Sequence, residues 1–370
     1  MSSYKYKNFK NITMYIEKVK SSRLTPESLE IKTFGNTFAD HMLVCEYKDG
    51  VWGEAKIIPF QEMSFSPAMQ AIHYGQACFE GMKAYKDEND DVFMFRPEKN
   101  FERINTSAIR LNMPPVPKDV FMDGLKALLD IDRDWVPPTY GMALYLRPFI
   151  FATEPMITAR SSEEFMFCVI TAVAPDYYAK PLRVKIADKY SRSANGGVGY
   201  AKAAGNYAAS FYPTKLAREE GFDQVIWTDA STHEYIEEAG TMNVFVRIND
   251  TLITAPISER ILNGVTRNSL INIAKHNGWK VEERPIKVSE MKAAHKDGSL
   301  KEVFGCGTAV VLNTFSAIGY PDETLDLADM PMEESWGKQL KKQLMDIQNN
   351  KSEDPFGWRM KVEKNLVNTL

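Results

Sequence analysis

Gly199-Tyr200-Ala201-Lys202-Ala203-Ala204-Gly205-Asn206-Tyr207 sets one lysine among small residues and a tyrosine shortly beyond it. With no bulky neighbour along the chain, the Lys202 amine leaves room for a planar ligand to approach. A lysine that is buried or placed beside other cations loses its proton more readily and attacks a carbonyl to form a Schiff base. Taken alone, such a lysine reads first as a solvated surface charge. Its meaning depends on what the rest of the chain supplies.

The chain has 370 residues, more than one core usually serves, so two domains are expected: 1–176, a linker at 177–181, and 182–370. The first is read as a smaller N-terminal α/β domain and the second as a larger domain carrying Lys202. With 44% hydrophobic and 25% charged residues, the composition is that of an ordinary globular protein. A net charge of -4 without a long Lys/Arg cluster argues against a nucleic-acid partner. The four cysteines, Cys45, Cys78, Cys168 and Cys306, show no Cys-x-x-Cys spacing, so neither a disulfide framework nor a cysteine zinc cluster is expected. A reducing, cytoplasmic setting fits them. No apolar run is long enough for a membrane span, and the first residues lack the apolar core of a secretory signal. Residues 4–23 carry six basic residues against Glu17, a faint likeness to a transit peptide weakened by the single arginine.

Alternation and turn residues predict a hairpin of 41–48 and 51–59 about Asp49-Gly50, and a second of 81–86 and 92–96. Pro97 opens a predicted helix to Leu111 with Phe101, Ile104, Ala108 and Leu111 on one face and Arg103 on another. A further helix is expected at 120–131. The near-continuous apolar runs 142–151 and 165–174 read as central strands, with Arg147 inside the first. Pro175 to Pro181 breaks the pattern. A strand at 182–187, a helix at 208–220 and a strand at 223–228 follow. Glu237-Glu238-Ala239-Gly240-Thr241-Met242-Asn243 precedes a strand at 244–248. Asn263-Gly264-Val265-Thr266-Arg267 leads into a helix at 268–277, whose exposed N–H groups form a natural phosphate seat. Gly305-Cys306-Gly307-Thr308-Ala309 follows a short strand at 302–304.

Two nucleotide motifs fail here. Gly196 to Lys202 lacks the Gly before and the Ser/Thr after the lysine that a P-loop requires. Neither Gly197-Val198-Gly199 nor Gly305-Cys306-Gly307 has the third glycine of a dinucleotide fingerprint. The five scattered histidines and the absence of a His-x-x-x-His pair argue against a catalytic metal. What remains is a lysine in a small-residue pocket, a nearby tyrosine, a glutamate before a Gly-Thr turn, and seats for a phosphate. Pyridoxal 5′-phosphate needs that set: an amine for its aldehyde, N–H donors for its phosphate and an acid for its ring nitrogen.

Lys202 to Tyr207, Glu238 to Asn243, Gly264 to Arg267, Gly305 to Ala309, Phe79-Glu80-Gly81-Met82-Lys83-Ala84 and Phe95-Arg96-Pro97 together resemble the branched-chain amino acid aminotransferases. The resemblance runs from about 34 to about 319, in the family's order, and is nearest the larger form shared by eukaryotes and many bacteria. It implies the two-domain α+β (mixed α/β) fold of the fold-type IV pyridoxal phosphate enzymes, the D-amino acid aminotransferase-like fold. It also implies a homodimer that exchanges amino groups between L-leucine, L-isoleucine or L-valine and 2-oxoglutarate by a ping-pong route.

On the matching positions, Lys202 would hold the cofactor covalently and carry the proton between substrate Cα and cofactor C4′. Tyr207 would donate to the ring O3′. Glu238, standing directly before the Gly240-Thr241 turn, would pair with the ring nitrogen in preference to Glu237. Arg103, the N–H groups of Val265 and Thr266 and the Thr308 hydroxyl would hold the phosphate, although Thr266 also suits a helix N-cap. Tyr74, Thr241 and Ala309 would surround the substrate α-carboxylate. Phe34, Phe79, Tyr145 and Tyr177 would wall an apolar pocket, though such aromatics equally suit a plain core. Arg147, costly in an apolar strand unless paired, would take the distal carboxylate of 2-oxoglutarate. The chain departs from the mammalian enzymes at Val310-Val311-Leu312-Asn313, where they carry a Cys-x-x-Cys pair, and Arg160 neighbours a position where relatives present small apolar residues. Competing readings are a D-amino acid aminotransferase or aminodeoxychorismate lyase of the same fold, and a protein that binds the cofactor without catalysis.

Overall fold

Strands and helices of the first half follow the apolar pattern closely. In the computed structural model, which describes residues 5–9, 12–31, 33–175 and 180–367, the strands are β1 (Lys5–Phe9), β2 (Ile12–Ile16), β3 (His41–Lys48), β4 (Val51–Trp52), β5 (Ala55–Pro59), β6 (Ala77–Phe79), β7 (Met82–Lys86), β8 (Val92–Phe95), β9 (Ala143–Ala152) and β10 (Phe165–Ala174). The helices among them are α1 (Gln70–Tyr74), α2 (Pro97–Arg110) and α3 (Lys118–Ile131). The second half adds β11 (Leu182–Ile186), β12 (Gln224–Thr228), β13 (Ile236–Ala239), β14 (Met242–Ile248), β15 (Thr251–Thr254), β16 (Lys280–Glu283), β17 (Leu300–Gly307), β18 (Val311–Gly319), β19 (Thr324–Asp326) and β20 (Arg359–Val362). Its helices are α4 (Ala204–Glu219), α5 (Val265–His276), α6 (Val288–Lys296) and α7 (Trp336–Gln348).

Two compact units result: Met1–Asp176 with Ala201–Ala204 and Ile347–Leu370, and Tyr177–Tyr200 with Gly205–Asp346. This corrects the division read from the sequence in two respects. The C-terminal residues return to the first unit, making it the larger one, because β20 pairs with β8 and the Arg133 guanidinium donates to the carbonyls of Val362 (2.8 Å) and Glu363 (2.9 Å). The lysine segment also packs with the first unit: Lys202 N–H donates to Ser107 Oγ (2.9 Å) and Phe79 N–H to the Lys202 carbonyl (3.1 Å). Most of the proposed linker, including Tyr177, lies outside the described residues.

Among the described residues, the first unit holds an 11-stranded sheet in the order β1-β2-β5-β3-β10-β9-β7-β8-β20, with β4 on β3 and β6 on β9. β9 and β10 are central and antiparallel, from Phe165 opposite Ala152 to Ala174 opposite Ala143. Both faces are covered, which explains their unbroken apolar sequence. Leu43, Leu146, Phe167 and Val169 pack with Phe121, Leu125 and Leu128 of α3 on one side, whereas Met42, Val44, Phe151 and Cys168 cluster on the other. Side chains alternate along β9, so Tyr145 and Arg147 share the face opposite Leu144 and Leu146.

In the second unit β13-β12-β11-β18-β17-β14 are hydrogen-bonded in that order, and an additional β13–β14 pairing closes the circuit. Closure leaves these strands few edges to protect. The β13–β14 turn is Gly240-Thr241, with Gly240 at φ +56.

Three local expectations are corrected. On α2 the buried face is Asn100, Arg103, Ile104, Ser107 and Ala108, so Arg103 lies with the core residues, while Phe101 and Leu111 are only half-buried. Helix α4 begins at Ala204, earlier than 208. Helix α5 begins at Val265 with Gly264 as N-cap, and Asn268 N–H already donates to the Gly264 carbonyl (3.0 Å). Thr266 is therefore inside the first turn and is not the cap.

Candidate active site

In the first unit the Lys202 amine sits 5.0 Å from the centre of the Phe79 ring. The Arg147 guanidinium lies 4.7 Å from the same ring and 5.3 Å from the ring of Tyr145. Arg147 Nη2 donates to the Tyr145 hydroxyl at 3.2 Å, and Phe34 meets Tyr145 edge-on at 4.9 Å. Five of the residues singled out from the sequence are thus joined by a chain of contacts: Phe34, Tyr145, Arg147, Phe79 and Lys202. Phe79 closes β6, where Cys78 bridges Ala203 beside the lysine. Arg147 is half-buried and its Nε has no partner among the described residues. Such a cation suits an anionic ligand.

Tyr74 stands apart. It ends α1, is 46% exposed, and its hydroxyl donates to the Ile157 carbonyl. Arg160 is tied locally, donating to Glu154 Oε1 at 2.6 Å and to the Ser161 carbonyl at 2.8 Å.

Arg103 is buried and held by a residue given no role from the sequence. Its Nε and Nη2 donate to the two carboxylate oxygens of Glu80 at 2.7 and 2.8 Å, and Asn100 Nδ2 adds a third donor at 2.7 Å. Both side chains are withdrawn from solvent, so the fork-to-fork pair fixes the guanidinium plane. The only sequence signal for Glu80 was its place inside Phe79-Glu80-Gly81.

The second unit gathers its own groups. Successive residues of a strand face opposite ways, and β13 separates Glu237 from Glu238 by that rule. Glu238 Oε1 accepts from Leu262 N–H at 2.7 Å and from Asn243 Nδ2 at 3.3 Å, and Arg192 Nε lies 3.3 Å from Oε2. Glu237 faces Arg260, whose Nε is 2.6 Å away. Burial nonetheless outweighs the arginines and pushes Glu237 up to about 7. Asn243 Nδ2 also donates to the Leu262 carbonyl at 2.9 Å, linking Glu238 to the segment that starts α5. A Cβ on Gly264 would lie 2.0 Å from Asn243 Oδ1, so only glycine lets the strand and the helix start approach so closely. The turn holding Thr308 and Ala309 meets the turn of Thr241: a Cβ on Gly307 would lie 3.7 Å from the Thr241 carbonyl oxygen. Tyr207 is half-buried in the first turns of α4. Arg192 and Arg260 carry no local motif and were not foreseen.

The family model described as Amino-transferase class IV matches residues 77–318. Branched-chain-amino-acid aminotransferase 2 of Bacillus subtilis (strain 168) is 41% identical over 354 residues, covering 95% of this chain and 97% of its own. The chain belongs to the branched-chain amino acid aminotransferases. The branched-chain-amino-acid aminotransferase of Mycolicibacterium smegmatis is 39% identical, covering 89% of this chain and 92% of its own. The aminotransferase also shares its fold with the branched-chain aminotransferase of Thermoproteus uzoniensis, solved with norvaline (TM-score 0.72, 22% identity, 87% of this chain and 100% of that one). The Escherichia coli branched-chain amino acid aminotransferase superposes with TM-score 0.68 at 22% identity over 88% of this chain and 99% of that one.

The donor set of this aminotransferase fits pyridoxal 5′-phosphate. Lys202 offers an amine among small residues, Glu238 a buried carboxylate, and the start of α5 offers bare N–H groups beside a glycine. Among the described residues no cluster of His, Cys, Asp or Glu is arranged to hold a metal.

Proposed function

We propose that Lys202 is the catalytic residue of a reversible transfer of the amino group from L-leucine, L-isoleucine or L-valine to 2-oxoglutarate. The observation that carries this reading is the Lys202 amine packed on Phe79 beside the Tyr145–Arg147 pair. Pyridoxal 5′-phosphate, when bound, supplies a ring that withdraws electrons from the substrate Cα. Lys202 Nζ would take the proton from the substrate Cα and later give it back, one amine serving as base and then as acid. Glu238 would hold the proton on the ring nitrogen, and Tyr207 would donate to the ring oxygen. Arg103, the N–H groups of Val265 and Thr266 and the Thr308 hydroxyl take the phosphate.

For substrate, Thr241 and Ala309 take the α-carboxylate; Tyr74, exposed and bonded to the Ile157 carbonyl, does not. Phe34, Phe79, Tyr145 and Tyr177 receive the branched side chain, and Arg147 receives the second carboxylate of 2-oxoglutarate. One pocket accepts both because the guanidinium lies against rings that present apolar surface when the carboxylate is absent. The enzyme is read as a cytoplasmic homodimer without nucleic-acid or membrane partners. Phe65, Ile72, Tyr74 and Ile157 of the first unit leave apolar surface suited to a second copy. Among the described residues no helix is long and apolar enough to cross a membrane.

The test is turnover of L-leucine with 2-oxoglutarate. Lys202→Ala is expected to lower kcat by at least about 100-fold, the low end for loss of a general base. Glu238→Gln is expected to cost far more turnover than Glu237→Gln. Activity with D-alanine but not L-leucine would refute the substrate reading, and cofactor colour that L-leucine does not bleach would refute catalysis.

A further inference from the structure

Gly81 has no conformational reason to be glycine, since its φ is not positive; its reason is space. A Cβ built there would lie 1.9 Å from the Tyr145 hydroxyl oxygen and 2.8 Å from Cζ. The strand register produces this contact: Lys83 of β7 stands opposite Tyr145 of β9, and Gly81 is two residues along the same face. The phenol has nowhere else to go cheaply. Tyr145 is 7% exposed, Phe34 meets its ring edge-on at 4.9 Å, and Arg147 covers it at 5.3 Å.

Arg147 depends on that hydroxyl. Its Nη2 donates to Tyr145 Oη at 3.2 Å, its Nε has no partner among the described residues, and its guanidinium lies against the rings of Phe79 and Tyr145. Ring faces attract a cation without fixing the direction of its N–H groups, whereas a hydrogen bond does fix it. We infer that Gly81 is a positioning residue for specificity: its missing side chain seats the Tyr145 hydroxyl, which aims the Arg147 fork, so that Gly81 governs binding of dicarboxylates and hardly affects apolar monocarboxylates. This rests on the reading of Arg147 as the partner of the distal carboxylate.

The experiment measures, by calorimetry on cofactor-loaded protein, dissociation constants of glutarate and of 4-methylpentanoate, neither of which has an amino or oxo group to react. Gly81→Ala is expected to weaken glutarate about 10-fold or more, as loss of a directed charge-assisted contact does, and 4-methylpentanoate by less than about 3-fold. Tyr145→Phe should show the same selectivity, and the double variant should bind glutarate no worse than Tyr145→Phe alone, because both changes remove one aim. Equal weakening of both ligands, or losses that multiply in the double variant, would overturn the inference. Should Gly81→Ala not fold, recovery of folded protein when Gly81→Ala is combined with Tyr145→Ala, which removes both Oη and Cζ, supports the contact, and failure of that combination overturns it. Arg147→Gln separates the two readings. If it spares glutarate, the reading of Arg147 fails and the inference with it; if it weakens glutarate selectively while Gly81→Ala does not, the inference alone fails.

Discussion

The Arg103–Glu80 pair shows how a buried arginine rests on a residue given no role from the sequence. A lone helical arginine reads as a solvated charge, yet Arg103 is buried, and Glu80 is withdrawn completely from solvent with Asn100 completing its acceptor set. Removing one partner of a buried pair leaves the other charge uncompensated. Glu80→Gln is therefore expected to destabilise the fold by about 3 kcal/mol or more, read as a lowered urea midpoint with an unchanged slope. An unaltered midpoint would mean that Arg103 finds another counter-ion. Glu80 escaped notice because its partner is 23 residues away, beyond any local period. Arg147 was legible for the opposite reason: it interrupts an apolar strand.

Helix α5 was expected from its apolar spacing, but its start was read three residues late. The β-branched Val265 and Thr266 weigh against helix locally, and only packing of Gly264 against Asn243 shows where the first turn lies. Gly264→Ala would drive a methyl into Asn243, the side chain that donates to both Glu238 and the Leu262 carbonyl. We expect a loss of about 1–3 kcal/mol, the usual cost of overpacking, together with weaker binding of pyridoxal 5′-phosphate in a fluorescence titration. A variant as stable as the parent, with cofactor affinity intact, would show that Asn243 gives way freely. The strands β9 and β10 were the easiest elements to read, since both faces are buried and the apolar signal is continuous.

For the protein as a whole, Glu237 sets a pH dependence of stability. Its folded carboxyl is raised to about 7 from an ordinary 4.5, chiefly by burial. Between those values the folded state keeps a proton that the unfolded state has released, so stability falls as pH rises from about 4.5 to about 7 and levels off above. The full change is at most roughly 3 kcal/mol. Thermal midpoints should therefore decline across this window in the parent and stay flatter in Glu237→Gln. The same decline in both proteins would assign it to another group. The Pro-rich break was visible in the sequence, but the return of β20 to β8 was not, because strand pairing across most of the chain leaves no trace in either strand's own sequence.

The sequence alone determined the strand and helix types in most segments, the motifs around Lys202, Glu238, Gly264 and Thr308, and through them the family. These are local quantities: hydrophobic period, turn chemistry and short ordered strings. Tertiary structure decided that Glu80 holds Arg103, that Arg192 and Asn243 attend Glu238, that the lysine segment packs with the first unit, and that Gly81 seats Tyr145. Each of these depends on distances closed only when β6, β7 and β9, or β13, β14 and the start of α5, come together. Burial then makes charge pairing and a single missing methyl group consequential, as neither is in the unfolded chain.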